Sequence, residues 1–143
     1  MELEAPAMGS KSKIYNGKLT ITSPHTGDHR TFEIRTQKDD ALFAPGRRIL
    51  SLLTGPDNQV DYRGFAFVEP GGRVRVWRRY QGTGGQEERT VWERYAAMIE
   101  RRAEYEARGC VYRESRACLR CNRELTDPLS IEIGEGPTCR VEA

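Results

Sequence analysis

Apolar and polar residues alternate in short bursts over the first half of the chain. Lys18-Leu19-Thr20-Ile21-Thr22 alternates and stops at Ser23-Pro24. Arg30-Thr31-Phe32-Glu33-Ile34-Arg35-Thr36 alternates again, with Phe32 and Ile34 on one side. A period of two marks a strand with one buried face, and Thr26-Gly27-Asp28 between the runs is a turn signal, so the pair predicts a hairpin. Ala44-Pro45-Gly46 breaks the chain next. The run Arg48-Ile49-Leu50-Ser51-Leu52-Leu53 is too short for its period to separate strand from helix. It ends in the dense turn signal Thr54-Gly55-Pro56-Asp57-Asn58 and is read as a strand. Tyr62 to Val68 and Arg73 to Tyr80 flank Glu69-Pro70-Gly71-Gly72, which predicts a second hairpin.

The pattern then changes. Residues 81–90 are Gly-rich and read as a linker. Thr90 is a helix cap, and Trp92, Tyr95, Ile99 and Ala103 form a rough apolar stripe along a helix over residues 91–108, which Gly109 stops. Residues 109–143 hold all four cysteines, and residues 1–10 read as a flexible N-terminus outside the fold. The expected class is α+β: a small antiparallel β-module over residues 11–80, a linking helix, and a knuckle-like or treble-clef zinc finger at the C-terminal end.

Charge changes this picture only slightly. The 23 basic and 21 acidic residues leave a formal charge of +2, so net charge does not imply non-specific DNA binding. Arginine supplies most of the positive charge, which suits bidentate phosphate and base contacts and equally suits GC-rich coding. No stretch is apolar enough to span a membrane, and Met1 to Ser10 lacks the apolar run of a signal peptide, so a cytoplasmic protein without membrane partners is expected.

The cysteines follow the spacing C-x7-C-x2-C-x17-C, at Cys110, Cys118, Cys121 and Cys139. In a reducing compartment four cysteines favour a metal over disulfides. Cys118-Leu119-Arg120-Cys121 is a CxxC pair. Such a pair must wrap so that two sulfurs face one ion about 2.3 Å away. The residue after the second cysteine then favours a positive φ, and Asn122 tolerates it better than other non-glycine residues. Asp127 and Pro128 begin a short helix that Gly134 ends, with Leu129 and Ile133 one turn apart. Gly134-Glu135-Gly136-Pro137-Thr138-Cys139 returns the last cysteine. Neither His25 nor His29 lies in the tail, so Cys110 is the candidate fourth ligand of a structural Zn2+. Two alternatives stay open: a redox CxxC, which would want a βαβ context, and a three-cysteine site with an open fourth position.

The residues Cys118-x-x-Cys121-x-Arg123-x-Leu125-Thr126-x-Pro128-x-Ser130-Ile131, followed by Gly134-x-Gly136-Pro137-x-Cys139, resemble an uncharacterised zinc-finger family common in bacteriophages and actinobacteria. Its pattern runs roughly CxxCGRxLTxPxS and then GxGPxC. Glu114-Ser115 is similar to the family's lead-in, and Asn122 departs from its usual glycine. Gly55-Pro56-Asp57-Asn58 and Phe65-Ala66-Phe67-Val68 are similar to the domains that precede this finger. The resemblance implies a phage or prophage accessory protein, in the host cytoplasm, and implies no reaction.

Arg63-Gly64-Phe65-Ala66-Phe67-Val68 also fits the first six positions of the signature strand of an RNA-recognition motif, whose aromatic residues stack on bases. Pro70 stands where a further aromatic is needed, and no helix-period run precedes Arg63, so that fold is not expected. On the last β-run Arg73, Arg75, Trp77 and Arg79 share one face by alternation. They are candidates to grip phosphates and stack a base, or else form a solvated sheet face. Arg120 and Arg123 would extend that surface. No phosphate loop, Ser-His-Asp set or HExxH is present, and a non-enzymatic role is expected. Two functions remain: nucleic-acid binding, or a protein-interaction module that inhibits or redirects a host machine.

Overall fold

The computed structural model describes residues 14–57, 60–82, 90–125 and 128–135. Six strands form one antiparallel sheet in the order β5-β4-β3-β2-β1-β6. The strands are β1 (Asn16–Thr22), β2 (His29–Thr36), β3 (Arg48–Leu53), β4 (Tyr62–Val68), β5 (Val74–Val76) and β6 (Val111–Ala117). Between β5 and β6 lie a single 3-10 turn (Arg78–Tyr80) and the helices α1 (Val91–Glu100) and α2 (Arg102–Ala107). A short helix α3 (Pro128–Ile133) follows β6. Among the described residues no helix is long and apolar enough to cross a membrane.

The predicted first hairpin forms, with Leu19 opposite Phe32 and Gly17 opposite Ile34. The ambiguous run Arg48–Leu53 is a strand. It buries Leu50 and Leu52 beside Ile34 and Phe32, while Ile49 and Ser51 point to the other side. Between β3 and β4 the register shifts, so that Leu50 opposes Ala66 while Ser51 opposes Gly64. Phe65 is the extra residue of this bulge, and a bulge resets the alternation of the strand that carries it. Phe65 is 0% exposed in the core, whereas Phe67 faces away from it. Two residues that simple alternation puts side by side therefore lie on opposite faces. An RNA-recognition strand needs both aromatics on one open face.

Helix α1 covers one face of the sheet. Thr90 caps it with a full capping box: its hydroxyl accepts from Glu93 N, and the Glu93 carboxylate accepts from Thr90 N. Ala96 and Ile99 are buried, Trp92 packs against Phe65 with ring centroids 5.0 Å apart, and Tyr95 packs edge-on to Phe32 at 5.5 Å. Full burial of a side chain the size of Ile99 contributes about 1.5–3 kcal/mol. The expected helix over residues 91–108 is broken at Arg101, whose φ of −108° and ψ of 43° leave the helical region. Ala103, expected on the apolar stripe, is consequently exposed. Strand β5 is likewise shorter than the predicted run, because the chain turns at Arg78 and Tyr80 packs against Trp92, its ring tilted by 46° with centroids 4.8 Å apart.

The largest departure concerns the tail. The β-module does not end at Tyr80: β6, from within residues 109–143, pairs with β1 along its whole length, from Asn16 opposite Ala117 to Thr22 opposite Val111. The cysteine-bearing tail thus begins as the sheet's edge strand. The capping role expected of Asp127, the N-terminus over residues 1–10 and most of the Gly-rich linker lie outside the described residues.

Candidate functional site

Pairing places chemistry in rows across the sheet. Ser115, Lys18, Glu33, Ser51 and Gly64 are neighbours in one row, and Arg35, Ile49, Phe67 and Arg75 in another. Both rows lie opposite the face that α1 covers, and among the described residues no helix packs over them. Arg113, opposite Thr20, shares this open face. It therefore carries Lys18, Arg35, Arg75 and Arg113 against Glu33. Burial raises the Glu33 carboxyl above its usual range, against the pull of Arg35 and Lys18.

At the β4–β5 end of this face the side chains cluster. Phe67 lies 5.5 Å from Trp77 and 6.1 Å from Phe43, whose ring is nearly parallel to it at 18°. Phe43 also meets Trp77 edge-on at 5.3 Å. The Arg47 guanidinium sits 3.9 Å from the centre of the Phe67 ring and that of Arg75 at 5.5 Å. One oxygen of Glu69, Oε2, accepts from Arg75 Nε at 2.7 Å and from Arg47 at 3.2 Å. The hydrogen bond from Arg75, with the charges of the neighbouring arginines, holds the Glu69 carboxyl below its ordinary range. Trp77 packs over Gly64, where an added Cβ would come within 2.9 Å of the indole. Phe43 is 52% exposed, and Leu42 beside it is wholly exposed at 106%.

Of the sequence candidates, Arg75 and Trp77 meet here. Arg73 is exposed at the start of β5, near enough to lower Glu69 further. Arg79 does not join them: it lies in the 3-10 turn, over the Tyr80 ring at 5.7 Å. The alternation that grouped all four fails because β5 ends at Val76. Phe43 and Arg47 were not foreseen. They come from a loop whose closure onto Phe67 leaves no local periodicity to read.

The cysteines divide. Cys118 and Cys121 lie in one tight turn at the end of β6. Cys118 N donates to Arg123 O at 2.8 Å, Asn122 N to Cys118 O at 2.9 Å, and Arg120 N to Cys118 Sγ at 3.4 Å. Asn122 has φ of +65°, as its position after the second cysteine predicts, and Glu124 returns to bridge Ala117. Cys118 is buried and Cys121 exposed. Arg120 and Arg123 are exposed on the same turn. Cys110, by contrast, precedes β6 and packs against the core at the far end of the strand. Seven extended residues at roughly 3.3 Å each put it on the order of 25 Å from Cys118. Assigning Cys110 to one ion with Cys118 and Cys121 is therefore corrected: an extended strand, not a loop, fills the seven-residue gap. Cys139 and Arg140 lie outside the described residues, among which no group of three or more metal-ligating side chains is found.

A buried polar cluster ties the turn to the sheet. Asn16, only 1% exposed, donates to Asn122 Oδ1 at 3.0 Å, Thr36 Oγ1 at 3.0 Å and Cys118 O at 3.3 Å, while its Oδ1 accepts from Arg48 Nε at 3.0 Å. Arg48 also donates to Ile14 O at 2.6 Å. Burial pushes the Arg48 guanidinium down to about 10. Helix α3 is drawn to the same place: Leu119 N donates to Gly134 O at 2.8 Å and Arg116 to Ile131 O at 3.2 Å, the Arg116 guanidinium lying 3.6 Å above the Tyr15 ring. Gly134, with φ of +90°, ends the helix where expected. None of Asn16, Thr36 and Arg48 was singled out from the sequence, because their partners are far away in the chain.

Residues 112–142 match a family of unknown function (DUF6011), a stretch that starts inside β6 and takes in the cysteine turn, α3 and Cys139. No curated protein and no solved structure matches the chain.

Proposed function

We propose that the protein is a non-enzymatic binding module that takes single-stranded nucleic acid on the open face of its sheet, with a finger closed by a structural Zn2+. The observation that carries the reading is the cluster around Phe67. Flat rings and guanidinium groups together are what stacks a base and grips its phosphates. The Glu69 carboxylate occupies the position on Arg47 and Arg75 that a phosphate oxygen would take. An open sheet face suits an extended single strand better than a duplex groove.

The zinc reading rests on the turn itself. An amide donating to the buried sulfur of Cys118 and a left-handed residue after the second cysteine are the features of a metal-binding knuckle. Gly134, hydrogen-bonded to Leu119 within that turn, starts the last five-residue step to Cys139. Five residues span at most about 17 Å, so Cys139 is within reach of an ion held by Cys118 and Cys121. Elemental analysis should find one zinc per chain, lost in Cys118→Ser and Cys139→Ser and kept in Cys110→Ser. Folded, metal-free protein would overturn it.

Anisotropy with labelled single-stranded and duplex DNA and RNA tests the main reading. Four basic side chains on phosphates predict a slope near −3 in log affinity against log salt, from about −0.7 per contact on single strands. Absence of binding at low salt removes the reading. The exposed Leu42 beside the cluster favours the second one, a protein partner such as a host machine inhibited by a phage accessory protein, for which binding would vary little with salt.

A further inference from the structure

Asn122 does more than adopt a left-handed backbone. Its carboxamide pairs with Thr36 at the end of β2 as a neighbouring strand would. Oδ1 accepts from Thr36 N at 2.9 Å, and Nδ2 donates to Thr36 O at 2.8 Å. Thr36 Oγ1 in turn donates to Leu119 O, inside the CxxC pair, at 2.6 Å. Both backbone groups and the side chain of Thr36 are thus engaged by the cysteine turn. A glycine would satisfy the positive φ and supply neither of the two carboxamide bonds to Thr36.

The next residue carries the contact onward. Gln37 N donates to Arg47 O at 2.8 Å, Gly46 N donates to Gln37 O at 3.2 Å, and Gln37 Nε2 donates to Phe43 O at 3.1 Å. Gln37 therefore fixes both the base and the tip of the loop that lays Phe43 and Arg47 on Phe67 and Trp77. Ala44, with φ of +48°, and Gly46, with φ of +75°, hold the loop in a sharp bend. Such a bend persists while its contacts hold it.

We infer that the cysteine turn governs the open face: Asn122, through Thr36 and Gln37, positions Phe43 and Arg47, so that metal loss at Cys118 and Cys121 loosens the ligand-binding cluster. Asn122, Thr36 and Gln37 are positioning residues in this scheme, and the loop is the element that moves. The inference rests on the proposed zinc at the cysteine turn and on the open face being the binding surface; zinc content measured on the same sample separates an absent metal from an absent coupling, and the position of the loop can be read without a ligand.

The protein contains two tryptophans, Trp77 in the cluster and Trp92 in the core, so fluorotryptophan-labelled full-length protein gives one fluorine NMR line for each face. Chelation of zinc and Asn122→Gly should each move the Trp77 line and leave Trp92 in place. Gln37→Ala leaves the cysteine turn intact and keeps the backbone bonds to Arg47 and Gly46 but loses the bond to Phe43 O, so it should move the Trp77 line and blunt its response to chelation. Affinity for an oligo-dT strand should fall on the order of fivefold in either variant, and the two losses should not add in the double variant. A Trp77 line that ignores chelation, or that responds equally with and without Gln37, overturns the inference, as do additive losses. Should Asn122→Gly fail to fold, the Gln37→Ala chelation series decides alone. Should the wild type bind no oligonucleotide, the nucleic-acid reading falls while the fluorine lines still test the coupling.

Discussion

Phe65 and Phe67 stand two residues apart on β4 and share nothing else. Phe65 is enclosed by Phe32, Trp92 and Tyr95 beneath α1, while Phe67 meets Phe43, Trp77 and two guanidinium groups on the face that no described helix covers. One bulge separates a residue that holds the core together from a residue that faces away from it. The same division runs from β1 to β5: Ile21, Phe32, Ile34, Leu50 and Leu52 lie on the covered face, while Lys18, Arg35, Phe67 and Arg75 lie on the open one. Truncating the two phenylalanines gives the widest contrast. Phe65→Ala should cost about 3–5 kcal/mol in denaturant unfolding, from lost burial plus a cavity. Phe67→Ala should cost no more than about 1 kcal/mol, yet remove most oligonucleotide binding. Equal losses of stability would mean that the open face is a second core under some cover.

Gly64 offers a milder way to disturb the open face alone. A Cβ there would meet Trp77 at 2.9 Å and Ile49 Cγ2 at 3.1 Å, so Gly64→Ala must lift the indole. Overpacking of this kind costs about 1–3 kcal/mol. Trp77 emission should shift to the red and binding should weaken, with the near-UV signal of the Phe65 core retained. Thr90→Ala tests the covered face at smaller scale. Loss of the capping box should cost about 1 kcal/mol through α1 and leave oligonucleotide affinity unchanged. A drop in affinity would show that the two faces are less independent than their packing implies.

Most strands could be read from the chain because their burial is one-sided. Phe32, Ile34, Leu50 and Leu52 are spaced by two and all face α1. The capping of α1 by Thr90, the stop at Gly134 and the left-handed Asn122 were equally legible, each being a local backbone demand of one residue. What could not be read depends on distant partners. The bulge at Phe65 follows from how β4 meets β3, and the loss of Arg79 from the open face follows from Tyr80 turning back to Trp92. Cys110 was grouped with Cys118 because spacing alone does not say whether seven residues loop or extend. They extend because β1 offers a complete row of partners. Asn16, Thr36 and Arg48 make a site only once three strand ends converge on the cysteine turn, and nothing near them in sequence announces it.

The smallest change in stability should accompany an informative change in binding. Glu69 competes, on this reading, with the ligand's phosphates for Arg47 and Arg75. Glu69→Gln removes the competing charge and keeps the shape. Partly exposed ion pairs contribute little, so stability should change by less than about 1 kcal/mol. Affinity for single-stranded DNA should rise several-fold at low salt, with a steeper salt slope. The wild type should show the same gain on acidification. Its carboxyl is held below the ordinary range, so the pairing with the arginines is intact above that range and is lost only as pH falls through the lowered value. The affinities of wild type and Glu69→Gln, measured side by side through that descent, should converge, the variant staying flat where the wild type rises. Parallel curves would show that the arginines on the open face serve Glu69 and the fold rather than a polyanion, and would leave Leu42 and Phe43 as the surface to pursue.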